Sequence, residues 1–224
     1  MGIRACASRL ADTVLNLLYP PRCPFCGVIL TGGTREEVSG ICVTCEASLP
    51  WKHEVLRTLP EGLLCAGPLS YEGVVRDALL KFKFHGESAS AEPLGKQIAL
   101  CVSDCFAGAF DIVSWVPVSG ERKRRRGYDQ AELLAKAAAK TWGLRPHRLL
   151  VKITDNPPQS GLSGSAARRE NVAGVYALAQ GAAVQGQRIL LIDDICTTGA
   201  TLLECRRTLL QGGAASVLGA AVTV

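Results

Sequence analysis

No stretch of this chain strings together the roughly 18 uncharged apolar residues of a membrane-spanning helix, so no transmembrane segment is expected. Nor is a secretory leader expected. Ile3, Ala7, Leu10, Val14 and Leu17 fall at helical spacing, but Arg9, Asp12 and Asn16 break the apolar run that a leader needs. Residues 1–19 are therefore expected as an amphipathic docking helix ended by Tyr19-Pro20-Pro21, and the cytoplasm as the compartment. Gly2 is followed by Cys6 where a myristoylation signal needs Ser or Thr. Neither a GxxxxGK[ST] loop nor a GxGxxG fingerprint is present, which removes the commonest nucleotide-binding patterns. The chain has only 3 histidines, and none stands in a Ser/His/Asp or Cys/His order, so no nucleophile or general base is assigned. Excess charge is also scarce. A net +5 and a pI near 8.7 suit phosphate or nucleic-acid partners without marking either.

Cysteine is abundant, with 10 in 224 residues. Without a leader a disulfide framework is not expected. Cys6, Cys65, Cys101, Cys105, Cys196 and Cys205 lie at irregular intervals. The other four form two CxxC pairs, Cys23/Cys26 and Cys42/Cys45, 15 residues apart. Two thiolates three positions apart grip a metal from one tight turn, and two such turns complete a tetrahedron. Residues 20–50 are rich in Cys, Gly, Pro and Thr and too poor in apolar runs to build a core, so a structural zinc ion is expected to supply their folding energy. With four sulfur ligands no position is left open for catalysis, and His53 is not needed as a ligand.

Beyond residue 60 the pattern alternates. Strands are expected at 63–69, 111–118, 149–153, 174–178, 188–193 and 216–224, and helices at 72–84, 91–105, 129–142 and 198–211. Such alternation implies an α/β fold with a parallel sheet covered by helices on both faces. One large unit over 60–224 is expected, with 63–110 as a helical part or hood and 111–224 as the core.

The strongest chemical signal is RILLIDDICTTGATLLEC, residues 188–205. An apolar strand runs into Asp193 and Asp194, then a loop, then a helix. A loop at the C-terminal edge of a parallel strand that opens onto a helix N-terminus suits an anion, through backbone N–H groups and the helix dipole. Thr197, Thr198 and Thr201 add hydroxyls, and Gly199 and Ala200 let the backbone approach. The carboxylates cannot bind phosphate, but they accept hydrogen bonds from ribose hydroxyls or help to hold Mg²⁺. Acids beside a phosphate cradle describe a sugar-phosphate site. Cys196 inside the loop reads either as an acidified thiol or as a small filler.

DDICTTGAT resembles the phosphoribosyl diphosphate (PRPP) motif of type I phosphoribosyltransferases. The whole chain resembles the ComF family, in which a double-cysteine zinc ribbon precedes a phosphoribosyltransferase-like domain. YEGVVRDALLKFKFHG (71–86), VPVSGERKRRRGYDQAELLA (116–135) and Gln159…Arg169-x-Asn171 occur in the family's order. The resemblance implies Asp193 and Asp194 on the ribose hydroxyls, 197–201 on the 5′-phosphate, Pro117-Val118-Ser119 near the diphosphate, and a covering loop at 154–170. It also implies Mg²⁺ arriving with PRPP, binding of single-stranded DNA, and a link to the DNA-uptake machinery of natural transformation.

Two basic segments are candidates for a diphosphate or a nucleic-acid backbone. One is Arg122, Lys123, Arg124, Arg125 and Arg126, followed by Tyr128, which is able to stack on a base; the other includes Arg76, Lys81, Lys83 and His85. A solvated charged loop is the plain alternative for the first. The readings that follow are a ComF-like PRPP- and DNA-binding protein, or a transferase that moves phosphoribosyl to a small acceptor.

Overall fold

A computed structural model describes residues 20–31, 33–155 and 172–224. The expected N-terminal helix, Gln159, Arg169, Asn171 and most of the 154–170 loop lie outside the described residues. In the ribbon, the first CxxC turn precedes α1 (Thr34–Ser39), and the second opens α2 (Val43–Ser48). There follow β1 (Leu56–Thr58), β2 (Leu64–Ala66), α3 (Gly73–Phe84), α4 (Ala91–Phe106), β3 (Ile112–Trp115), α5 (Gly120–Arg126), α6 (Gln130–Thr141), β4 (Leu150–Lys152), β5 (Tyr176–Leu178), β6 (Arg188–Ile192), α7 (Ala200–Gln211) and β7 (Ser216–Ala220).

Five strands form one sheet in the order β1-β2-β7-β6-β3. β2, β7, β6 and β3 run parallel and β1 is antiparallel to β2. β4 and β5 make a separate antiparallel pair. β6 shows why its sequence is almost wholly apolar. Leu190 and Ile192 pack into the core beneath α3, α4 and α6, while Ile189 and Leu191 pack into the core beneath α7. A strand with two buried faces has no polar side to show. The fold class is as expected, a mostly parallel sheet with helices on both faces behind a zinc ribbon.

Two features escaped the sequence reading. β1 is a three-residue strand with every residue exposed, so no apolar pattern announces it. The basic run 122–126, for which a charged loop was one expectation, is helix α5. Ser119 caps it by accepting the Arg122 N–H at 3.2 Å. Glu121 sits in its first turn, cations fill its last turn, and Gly127 closes it. Charge complementarity along the helix replaces the missing apolar face.

α4 and α6 touch closely through Gly95. A Cβ built there falls 2.4 Å from Ala137 Cβ and 2.9 Å from the Leu134 carbonyl oxygen. Gly95→Ala is expected to cost about 2 kcal/mol despite its better helix propensity, a fall of roughly 4–8 °C in Tm. A thermal melt at or above wild type would contradict this packing.

Candidate functional site

The ribbon brings its four cysteines together as the spacing predicts. All four sulfurs lie within 4.8 Å of one another, and Cys26 Sγ is 3.6 Å from Cys42 Sγ. A tetrahedron with zinc–sulfur bonds of about 2.3 Å has edges near 3.8 Å, so the donor set fits zinc. Backbone N–H groups support the sulfurs, as Cys45 N donates to Cys42 Sγ at 3.4 Å. Cys23, Cys42, Cys45 and Ile41 are buried in the same cluster as Phe82 and Leu94, so the ribbon is packed on the helical face of the sheet. Cys26 alone of the four is exposed. Cys26→Ser therefore removes a ligand with little loss of packing. Elemental analysis is expected to show zinc falling from one per chain to near zero, with Tm lower by several degrees; retained zinc would sink the four-sulfur site.

The second site lies at the C-terminal edge of the sheet. β6 ends at Ile192, and Asp193 N–H continues the ladder to the Ala220 carbonyl at 2.9 Å. Asp193 is half-buried and Asp194 is buried. Asp193 Oδ1 accepts the Asp194 N–H at 2.8 Å. Asp194 receives both its oxygens' partner from α3: Lys83 Nζ lies 2.9 Å from Oδ2 and 3.2 Å from Oδ1. Burial disfavours the Lys83 ammonium, but Asp194 more than offsets it, and the Lys83 pKa is raised. Among the described residues Asp193 has no such ion pair. Burial first, and the Asp194 charge second, push its carboxyl well above the usual range.

The loop that follows is shaped for close approach. Gly199 has φ +75°, and a Cβ there would meet Leu59 Cδ1 at 2.6 Å, so glycine is required twice over. Gly199 also precedes α7, whose first turn receives no side-chain cap from it. Thr198 Oγ1 accepts the Ala200 N–H at 3.4 Å, and the Thr197 carbonyl accepts from Arg57 Nη1 at 2.5 Å. Cys196 is buried, and its thiol pairs with that of Cys65 on β2. That pairing lowers Cys196 and raises Cys65, as expected when one sulfur donates to the other.

The other expected residues are distributed unevenly. Pro117-Val118-Ser119 follow β3 at the same edge, where the Val118 N–H and the Ser119 hydroxyl are engaged. Val118 N–H goes to Asp129 Oδ2 at 3.0 Å, and Ser119 caps α5. Of the basic run, Arg122 turns inward to Asp155, with Nε 3.4 Å from Oδ1. Arg126 lies over the Phe84 ring at 4.9 Å and bonds Gln130 Oε1 at 3.0 Å. Lys123 is held by Glu132 at 2.7 Å, whereas Arg124 and Arg125 face solvent. Lys81 is exposed on α3, away from the pair that Lys83 makes. Tyr128 is partly buried. Its hydroxyl donates to the Phe82 carbonyl and its ring stacks on Phe82 at 5.9 Å, so it serves packing. The exposed aromatic at this surface is Phe84.

Sequence reasoning missed Arg57, Asp129, Asp155 and Lys152. Lys152, at the end of β4, has its pKa lowered to about 8 by burial and by Arg122, with Asp155 and Asp193 opposing. Its place at a strand's C-terminal end was a usable signal; Arg57 carried none, since only the fold brings it to residue 197.

The double zinc ribbon domain family matches residues 14–72. Competence protein ComFC of Bacillus subtilis is 26% identical over 197 residues, covering 87% of this chain and 73% of that protein. DNA utilization protein YhgH of Escherichia coli O6:H1 is 28% identical over 220 residues, covering 96% and 87%. Adenine phosphoribosyltransferase of Mycobacterium tuberculosis is 39% identical over 98 residues, 44% of this chain and 45% of that one. Among solved structures, a glutamine PRPP amidotransferase from B. subtilis shares 20% identity at a TM-score of 0.43, a weak likeness that covers 63% of this chain and 30% of that one. No described helix is long and apolar enough to cross a membrane. The chain is thus a homologue of ComFC and YhgH, with a double zinc ribbon ahead of a mostly parallel α/β sheet.

Proposed function

We propose that the chain binds PRPP or a related sugar phosphate, with Mg²⁺, at residues 193–201, and single-stranded DNA at the outer face of α5, as a cytoplasmic component of DNA uptake. The carrying observation is the pairing of two carboxylates, one of them without a salt bridge among the described residues, with a glycine-bearing loop that opens onto α7. Carboxylates beside a phosphate cradle suit a ligand with hydroxyls next to its phosphate. Asp193 is the acid that gains most from such a ligand, because ribose hydroxyls or Mg²⁺ would supply the compensation that burial denies it. Asp194 would exchange Lys83 for the ligand, or keep Lys83 as a cation facing the diphosphate. The names of the relatives support the reading: one is a competence protein, one a DNA utilization protein, and one an adenine phosphoribosyltransferase.

The nucleic-acid part rests on the outer face of α5. Arg124 and Arg125 are exposed, and the exposed ring of Phe84 lies beside Arg126. Cations next to an exposed aromatic suit a sequence-tolerant single strand.

Transfer of phosphoribosyl to a small acceptor is the second reading, favoured by Lys152. A lysine lowered to about 8 among Asp193, Asp155 and Arg122 can exchange a proton near neutral pH, beside a departing diphosphate.

The first test is calorimetric titration of PRPP with Mg²⁺ into zinc-loaded protein. Heat is expected with wild type and not with Asp193→Asn. The same variant is expected to be more stable. A carboxyl whose folded pKa is raised contributes stability only while protonated, and loses it as pH rises from about its ordinary 3.8 through the folded value. Removing the charge should raise Tm at pH 7 by roughly 3–5 °C per pKa unit relieved. A variant that keeps the heat, or that melts lower, would contradict this account of Asp193. For DNA, Arg124→Ser/Arg125→Ser is expected to weaken binding of an oligothymidylate about tenfold and to flatten its salt dependence by about 1.4 in log–log slope. Unchanged affinity would move DNA off α5.

A further inference from the structure

β1 is an odd strand. All three of its residues are exposed, so it fills no core, and it lies at the outer edge of the sheet. Its contacts with the ligand edge are nevertheless numerous. Arg57 Nη1 donates to the Thr197 carbonyl at 2.5 Å. Leu59, just past the strand, is buried against Gly199. Glu61 reaches Arg206 of α7 at 3.4 Å. Cys65, the register partner of Arg57 on β2, pairs with Cys196. The segment 57–65 is therefore laid along the loop 196–199 at successive points.

Within that arrangement Arg57 is the cation that touches the loop backbone. Its hydrogen-bond partner is a neutral carbonyl, and no carboxylate pairs with it among the described residues. A guanidinium offers five N–H donors in a planar fork, and one of its nitrogens is engaged here. Its charge is felt inside the loop, where it favours the thiolate of Cys196. A guanidinium fixed at a loop by one arm, with the other arm unused and its charge uncompensated, is suited to a phosphate, which it can meet through two oxygens. Holding the loop alone would need only a neutral donor.

We propose that Arg57 is a binding residue for the phosphomonoester of the ligand, the cationic part of a subsite whose other part is the backbone and hydroxyls of 197–201. The ligand class is a sugar carrying a terminal phosphate dianion. The proposal rests on the sugar-phosphate reading of residues 193–201. It places a determinant of that subsite on the strand that leaves the zinc ribbon, 140 residues before the loop.

The test is calorimetric titration of ribose 5-phosphate into zinc-loaded wild type, Arg57→Lys and Arg57→Gln, across pH 5.5–7.5, with melting curves as the folding check. A phosphomonoester takes its second charge near pH 6. Wild-type affinity is expected to rise through that pH. Arg57→Gln is expected to bind about tenfold or more weakly and to lose most of that rise, while Arg57→Lys keeps the rise at intermediate affinity. Wild-type affinity and pH profile in Arg57→Gln would overturn the proposal and leave the sugar-phosphate reading standing. Equal losses in Gln and Lys with the pH rise intact would reduce Arg57 to a brace of the loop, and also overturn it. No binding by wild type, to ribose 5-phosphate or to PRPP with Mg²⁺, would overturn both.

Discussion

The ion pair between Lys83 and Asp194 joins parts of the chain 111 residues apart, and the candidate site takes its form around it. β6 is buried on both faces, so its polypeptide must turn polar only where it leaves the sheet, and it does so with two adjacent carboxylates. Two such charges in a half-covered place repel each other and resist desolvation. The fold compensates one and leaves the other. Lys83 reaches Asp194 because α3 packs on the sheet through Val75, Ala78, Leu79 and Phe82, which aims the next residue at the strand end. Asp193 has only the Asp194 N–H and the more distant Lys83 charge in its favour, and burial still raises its carboxyl. A carboxyl in that position gains from any hydroxyl or cation that comes to it, because burial penalises its charge.

Much of this was legible in sequence. The four cysteines, the buried strand 188–192, the acid pair and the small-residue loop each have a spacing that forces its own interpretation. What the sequence withheld was direction. Five consecutive cations look equivalent until a helix separates them. Arg122 and Arg126, four apart, then turn toward Asp155 and Phe84, and Arg124 and Arg125 turn to water. Tyr128 looked like the free aromatic because it follows the basic run, yet its hydroxyl finds the Phe82 carbonyl, and Phe84 is left outside. Arg57 and Lys152 were invisible for another reason. Each is a single basic residue in a short strand, and its meaning depends on which distant loop the sheet brings beside it.

The edge itself is mostly self-satisfied. Ser119, Asp129 and Val118 spend their hydrogen bonds on one another and on the starts of α5 and α6. That shapes a rim while leaving few donors for a guest. The groups with capacity to spare are the ones with charge to spare: Asp193, Lys152 and Arg57. Recognition at such an edge is electrostatic before it is geometric, which suits ligands dense in phosphate and poor in apolar surface.

The short strand β1 has a consequence for how proteins of this build can be recombined. It emerges from the ribbon, pairs antiparallel with β2, and lies on the loop before α7. Ribbon and sheet look like separable cassettes in sequence, but a crossover placed after residue 66 would carry one parent's Arg57 and Leu59 onto the other parent's loop. A crossover near residue 50 would keep that seam intact. A working chimera would take 57–65 and 196–199 from the same parent, whatever happens to the cysteines ahead of them.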